Sequence, residues 1–374
     1  MLKENVKKIL YFNSSLLKGG TDVYMMEIIR NINKNKYSVD VLIKDGDQYD
    51  ESFYDELRSL GSNVFLAKGS FFDRLKYIKY FFKKNISKYD VIHINATSCA
   101  TGLIAYFAKK YGKIKKVIFH SHMGGNDHRF SIADRIGRSL LAKNVDIYAA
   151  CSNVAADFMF GNKILKNKKC IILKNSIDVD KFDFDKRIRT VMRKRYGVLD
   201  TQFVLLHVGR FVKQKNHRYL IEVFKELASN DVEDCCRLFL IGDGPLKEQI
   251  KKLVYDMSLE DKVVFCGLCD NVSDYMQLAD CFIMPSVHEG LPIVAVEAQA
   301  AGLPCVLSSN ISKETQIVAD NVCFVDIIND NINDWVTKIC EKRFYIRKST
   351  KSVLTEKGFD SKNAIKELEK LYLN

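Results

Sequence analysis

The sequence has no apolar run approaching the ~18 residues that cross a bilayer, which excludes a transmembrane helix. Its opening segment, MLKENVKKILYFN, carries charges around an apolar stretch too short for the hydrophobic region of a secretory signal. It reads as a first β-strand, and the chain is expected in the cytoplasm. The cysteines number 11, an odd count scattered through apolar runs such as KKCIIL and DCFIMP. That argues against a disulfide framework and fits small buried hydrophobes in a reducing compartment. One C-x-x-C, Cys266 and Cys269, lacks a second pair or histidines at zinc spacing. Internal repeats and low-complexity tracts are absent. No Gly-aromatic RNA-binding signature or helix-turn-helix stands out, so nucleic acid is not an expected partner.

What is present bounds the answer further. At 374 residues the chain is too long for one ordinary core, and two domains are expected. A net charge of +12 calls for an anionic partner, a nucleotide or an anionic lipid surface. Apolar, β-branched runs alternate with amphipathic stretches throughout. The first series reads KKILYF, VDVLI, NVFLA, DVIHIN, KVIFHSH, IYAACS and CIILKNS; the second reads FVLLHVG, RLFLIGDG, VVFCG, CFIMPS, PCVLSS and VCFVD. This alternation predicts an α/β protein with parallel sheets covered by helices on both faces. A charged segment, DVDKFDFDKRIRTVMRKRYGVLD, separates the two series and places a boundary near residues 180–200. Ligands of open parallel sheets bind beyond the carboxyl ends of the strands, so the expected active site is a cleft between two facing domains. The C-terminal FDSKNAIKELEKLYLN has the pattern of an amphipathic helix, with Ile365, Leu368, Leu371 and Tyr372 on one side.

Several loops carry chemistry. SVHEGLPIVAVEAQAAGLPCVLSS, residues 286–309, reads as a turn, a small-residue helix and a strand, with Glu289 before the helix and Glu297 inside it. A helix N-terminus with two acids can hold an anion by its phosphates and a polyol by its hydroxyls. Glu297 has small or apolar neighbours almost throughout, so its carboxylate needs a partner. In LLHVGRFVKQKNH, Arg210 and Lys215 follow a strand on a short loop, two cations suited to a diphosphate or simply solvated. Gly19-Gly20-Thr21 opens a helix after the first strand, where backbone can approach a phosphate or where the helix is merely capped. LFLIGDGPL ends a strand in a tight turn at Gly242-Asp243-Gly244, which is secondarily a ligand contact. VIFHSHMGG sets His120 and His122 on one face of a strand end beside Gly124-Gly125, where a histidine can offer a hydrogen bond to a substrate oxygen. Asp45-Gly46-Asp47 has the form of a metal-holding pair but falls in the charged stretch KDGDQYDESFYDEL, and it reads as a turn before a helix.

In this order the elements resemble a family 4 glycosyltransferase with the GT-B fold, two Rossmann-like doubly wound domains facing across a cleft. The resemblance runs from the Gly19-Gly20 loop through His-Ser-His, Ser152, Asn175, Asp178 and Phe182 to the Gly209-Arg210…Lys215 loop, Gly242 and the Glu-x7-Glu segment. It implies an N-terminal acceptor-side domain over 1–185, a nucleotide-sugar domain over 186–357, and a helix over 358–374 packing back on the first domain. It also implies retaining transfer of a hexose from a nucleotide-diphosphate sugar, UDP favoured, with no cofactor and no metal. Arg210 and Lys215 would bind the diphosphate and stabilise the leaving group, and Gly20 would meet it from the other domain. Glu297 would hold the ribose. Glu289 would meet the donor sugar, with the backbone of Gly290 and Leu291 facing sugar or phosphate. His122, or His120 in the alternative register, would lie near the donor sugar. Where the family usually has Asn-Gly and Lys-Gly, this chain has Asn175-Ser176 and Lys215-Asn216.

The expected acceptor is a glycan or lipid-linked oligosaccharide in cell-surface polysaccharide assembly. FFDRLKYIKYFFKKNISKYD interleaves aromatics with Arg74, Lys76, Lys79, Lys83 and Lys84. It reads either as a crossover helix with a solvated basic face or as a patch for the inner face of an anionic membrane. Two other functions fit the same fold, a nucleotide-sugar 2-epimerase and a non-catalytic nucleotide-sugar-binding partner.

Overall fold

The structure is a computed structural model; it describes residues 6–122, 131–166, 169–229, 235–269, 271–327 and 331–373. The chain divides into two units, residues 1–177 with 361–374, and residues 178–360. The first division falls a few residues before the boundary read from the charged segment.

The first unit is built on β1 (Lys7–Asn13), β2 (Tyr37–Ile43), β3 (Val64–Leu66), β4 (Val91–Ala96), β5 (Lys116–Ser121), β6 (Ile147–Ala150) and β7 (Cys170–Ile172). They form one sheet in the order β3-β2-β1-β4-β5-β6-β7, and every pairing is parallel. The second unit carries β8 (Phe203–Val208), β9 (Cys236–Ile241), β10 (Val263–Gly267), β11 (Cys281–Met284), β12 (Cys305–Ser308) and β13 (Val322–Val325). Its order is β10-β9-β8-β11-β12-β13, again all parallel. Each apolar run of the sequence analysis becomes one of these strands, and both sheets are Rossmann-like. The central strands are buried along their whole length, as helices on both faces require: every residue of β4 and of β8 is buried.

In each sheet the strand order reverses once, between β1 and β4 and between β8 and β11. At such a switch point the loops leaving adjacent strands diverge and open a crevice at their carboxyl ends. The loops after β1, β8 and β11 are the ones that carry the Gly-Gly, Arg…Lys and Glu-x7-Glu motifs.

The C-terminal helix, Ser361–Leu373, buries Ile365, Leu368 and Tyr372 within the first unit, while Leu371 stays half-buried. Its last carbonyls are capped by two lysines, Lys7 Nζ donating to Tyr372 and Leu373 O (2.9 Å each) and Lys116 Nζ to Leu371 O (3.0 Å). Cations at a helix C-terminus satisfy orphan carbonyls and the dipole together. The Asp45-Gly46-Asp47 pair is occupied by protein, since both carboxylates pair with Arg74.

Candidate functional site

In the second unit, the loop leaving β8 is held from beneath by backbone. Gly209 N donates to Ile241 O and Phe211 N to Asp243 O, both at 2.9 Å. Gly242 adopts φ +137°, and a Cβ there would lie 2.1 Å from the carbonyl oxygen of Gly209. The IGDGP segment is thus the brace that lets the β8 loop approach it this closely. Beyond Lys215 the chain turns through Asn216 in the left-handed conformation, φ 55°. Asparagine is among the few non-glycine residues that visit that region readily, so Asn216 serves where the family usually has glycine.

The loop leaving β11 is laced to this one. Val287 N donates to Gln214 O (2.8 Å), and Gln214 Nε2 donates to His288 O (3.0 Å). Lys215 Nζ then lies 2.8 Å from Glu289 Oε1, the two side chains being 18% and 13% exposed. The approach lies outside hydrogen-bond geometry, so this is a charge contact and not a directed bond. Arg210 is exposed beside it and forms no ion pair among the described residues. The backbone of Glu289 is fixed on its other side by Ser312 N, which donates to Glu289 O at 3.1 Å.

Gly290 follows in the turn, Leu291 is buried, and the helix Ile293–Ala300 begins. Glu297 is 8% exposed on that helix. Gln299, assigned no role from the sequence, is wholly buried and fully bonded. Its Nε2 donates to Thr315 O (2.8 Å), and its Oε1 accepts from Ile317 N and Val318 N (3.0 Å each). This amide locks the helix that carries Glu297.

The sequence reading also passed over His207 and His217. His207 Nδ1 donates to Ile283 O (2.8 Å), His217 stacks on Phe211 with centroids 4.0 Å apart, and the two rings meet edge to face at 4.7 Å. Burial pushes His207 down to about 4 and His217 to about 2, with Lys215 adding to both. The loop therefore rests on a neutral floor, which leaves its positive charge to its own cations, Arg210, Lys213 and Lys215.

The first unit holds its own group. Gly19 is the N-cap of the helix Gly20–Asn31, and Gly20 is exposed at its first turn. The residue organising this loop is Asp22, not Thr21. Its Oδ1 accepts from Asn13 Nδ2 (2.6 Å), and its Oδ2 accepts from Leu17 N (2.8 Å) and Gly19 N (3.0 Å). Burial outweighs these donors and raises its carboxyl to about 6. An acid at the third helical position is a capping-box signal that was present in the sequence.

His120 and His122 do share a face, their ring centroids 4.0 Å apart. His120 is wholly buried and bonded through Nδ1 to His93 Nε2 (3.2 Å), so it cannot meet a ligand in this arrangement. His122 is partly exposed, with Nδ1 3.2 Å from Asn175 Oδ1 and Nε2 3.0 Å from Asn95 Oδ1. Burial lowers it to about 4, so at neutral pH it carries one ring proton. One neighbouring amide must then offer its NH₂ group. Asn95 is the candidate, because its Nδ2 is buried without a partner as drawn, and turning the amide satisfies both nitrogens of His122. Gly124 and Gly125 lie outside the described residues.

Two family models match the chain: Glycosyltransferase Family 4 over residues 18–181 and Glycosyl transferases group 1 over residues 188–343. Glycosyltransferase EpsF of Bacillus subtilis is 28% identical over 99% of this chain and 97% of its own length. The UDP-Gal:alpha-D-GlcNAc-diphosphoundecaprenol alpha-1,3-galactosyltransferase of Escherichia coli is 23% identical over 81% of this chain and 79% of its own. Among solved structures, Anabaena HepE in complex with UDP and glucose is 18% identical, covers 97% of this chain and 98% of its own, and superposes with a TM-score of 0.75. The shared fold is GT-B.

The buried Asp22 has a measurable consequence. Its folded pKa, about 6, exceeds the unfolded 3.8, so the folded state binds the extra proton between these values. Stability contributed at this site is therefore greatest below pH 3.8 and falls as pH rises towards 6. Relative to Asp22→Asn, which does not titrate, the wild-type protein should lose on the order of 2–3 kcal/mol across that window in denaturant titrations. A stability difference that stays flat with pH would show that the carboxyl titrates normally.

Proposed function

The chain is a glycosyltransferase of the GT-B type, a family 4 domain followed by a group 1 domain, and we propose that it moves a hexose from a UDP-sugar to a glycan or lipid-linked acceptor in cell-surface polysaccharide assembly. In this reading transfer proceeds with retention at the anomeric carbon and without an obligatory metal. The observation that carries the proposal is the Lys215–Glu289 contact at the β8/β11 switch point, with the exposed Arg210 on the same loop in no ion pair among the described residues. A diphosphate entering there meets two cations, Arg210, with no ion-pair partner among the described residues, and Lys215, held by a charge contact. It draws Lys215 away from Glu289, and the carboxylate it releases is left to accept hydrogen bonds from sugar hydroxyls. Preorganised cations of this kind stabilise the charge that develops on a departing diphosphate. Glu297 takes the ribose hydroxyls, and the backbone of Gly209, Gly242, Gly290 and Leu291 gives close, uncluttered approach. Gly19 and Gly20, at a helix N-terminus, suit an anion. His122 meets the donor sugar by giving up one of its two amide partners, Asn175 or Asn95, to a sugar hydroxyl. The substrates of the Escherichia coli relative and the ligands bound to HepE favour uridine donors and a lipid-linked acceptor.

For the chemical step, the acceptor hydroxyl attacks the anomeric carbon on the face the diphosphate leaves, and the departing phosphate oxygen takes the hydroxyl proton. Product with retained configuration should form with no covalent sugar–enzyme adduct detectable by intact-protein mass spectrometry; such an adduct would overturn front-face attack.

The helix Phe71–Lys84 supports peripheral contact with an anionic membrane. Phe71 and Phe72 are 65% and 72% exposed at its start, and Lys79 and Lys83 lie over the ring of Tyr111 with their charges available at the surface. Arg74 is already committed to Asp45 and Asp47 and is not part of this surface. Among the described residues no helix is long and apolar enough to cross a membrane. Anionic vesicles should bind the protein in a salt-sensitive way, and equal binding by the Lys79/Lys83/Lys84 triple-alanine variant would remove the patch from the proposal.

The division of labour between the two acids tests the site itself. Thermal shift with UDP, GDP and their sugars identifies the donor, since a ligand of the folded state raises the melting temperature. Glu297→Ala should then weaken UDP binding roughly tenfold, the loss of hydrogen bonds to a charged group. Glu289→Ala should leave UDP affinity equal or tighter, because Lys215 is released, and lower kcat by about two orders of magnitude. Weaker UDP binding in Glu289→Ala would refute the exchange of partners at Lys215.

A further inference from the structure

A line of buried polar rings joins His122 to the C-terminal helix. Tyr11 Oη and Tyr372 Oη lie 2.6 Å apart, Tyr372 Oη lies 2.8 Å from His93 Nδ1, and His93 Nε2 lies 3.2 Å from His120 Nδ1. His120 then packs on His122 with ring centroids 4.0 Å apart. Tyr24 closes the far side, its ring 5.3 Å from that of His120 and 5.0 Å from that of His122. Tyr11, His93, His120 and Tyr372 have no measurable exposure.

Buried polar atoms must be paired, and only one direction of donation comes close to pairing all of these. If Tyr372 donates to His93 Nδ1, then His93 Nε2–H donates to His120 Nδ1. His120 keeps its proton on Nε2, towards the Leu173 backbone in a weak contact outside strict hydrogen-bond geometry. Tyr11 donates to the Tyr372 oxygen. The opposite direction leaves His120 Nε2 as a bare buried acceptor. The line ends in ring packing, since His120 and His122 share no hydrogen bond, so it passes orientation, not a proton.

We propose that Tyr372 and His93 are positioning residues: through His120, whose ring packs on that of His122, they hold the His122 ring in one orientation. The inference rests on the reading of His122 as the group that meets the donor sugar. It gives the C-terminal helix a part in transfer beyond packing, because Lys7 and Lys116 anchor its last turn and so set the height at which the Tyr372 hydroxyl enters the core. A catalytic ring displaced by a fraction of an ångström loses rate without losing substrate.

The test uses the full chain. Tyr372→Phe keeps the aromatic ring and its contact with Tyr37. It should unfold cooperatively, shift the imidazole nitrogen resonances of His122 in NMR of histidine-labelled protein, and lower kcat roughly tenfold with donor KM held within about twofold. Turnover is read as UDP release from whichever of UDP-glucose and UDP-galactose stabilises the protein more. Tyr11→Phe, which leaves the Tyr372 donor in place, should leave the His122 resonances unmoved. In a His122→Asn background, Tyr372→Phe should cost nothing further, as coupled residues are not additive. Unmoved His122 resonances in Tyr372→Phe, or an undiminished effect of it in the His122→Asn background, overturns the positioning role alone. Equal perturbation by Tyr11→Phe overturns the direction of the line. Unchanged turnover in His122→Asn overturns the reading of His122, and the positioning proposal with it.

Discussion

The second unit is organised by one contact, the charge pair of Lys215 and Glu289 where its sheet reverses strand order. Either charge alone, at this depth, would carry a desolvation cost of several kcal/mol. Together they are tolerable, and they tie the β8 loop to the β11 loop. Much of the local design follows from bringing them into range. Gly242 must lack a side chain so that the Gly209 carbonyl can pass, Asn216 must turn left-handed, and Gln214 must bond across to His288. The pair is held without a directed hydrogen bond, which keeps the lysine available to a better anion. A buried ion pair is a weak argument for stability but a good one for a site that exchanges partners.

The first unit solves a different problem. Its polar residues are rings and amides: His93, His120, His122, Asn95, Asn175, Tyr11 and Tyr372. Burial lowers the three histidines below their usual range and raises the two tyrosines above theirs, so none of these side chains is charged at neutral pH. A neutral network can sit deep in a sheet without counter-charges, provided its hydrogen bonds close on themselves. Asp22 is the exception. Two backbone N–H groups and an amide surround its carboxylate, and it spends them on shaping the Gly19-Gly20 loop.

Much of this was legible in the chain. Alternating apolar runs give every strand because a parallel sheet buried on both faces demands continuous β-branched segments, and that demand is local. Glu297 stood out for a similar reason, as an acid among small apolar neighbours. What could not be read is what depends on residues far apart. Lys215 and Glu289 were each recognised, but nothing in their loops says that they touch, because the contact is created by the strand order. His207 and His217 carry no signal in the sequence; only the stacking of His217 on Phe211 and the edge-to-face packing of the two rings make them the floor. The choice between His120 and His122 turned on depth in the sheet, and two residues of one face differ in depth only once the strand's end is known. Asp22 was within reach of sequence reasoning, since an acid three residues after a glycine N-cap is a capping signal, and the glycines drew attention away from it.

The two units thus share a topology and differ in electrostatics. Each places glycine-containing loops at the reversal of its sheet, so each has a crevice in which a ligand can settle. In the second unit the crevice is edged by Arg210 and Lys215 above His207 and His217, which burial keeps uncharged, so the attraction for an anion there comes from the loop's own cations. In the first unit the side chains near the reversal are an imidazole and amides without net charge, suited to hydroxyl groups, and the one feature suited to an anion is a backbone one, the helix N-terminus at Gly19 and Gly20.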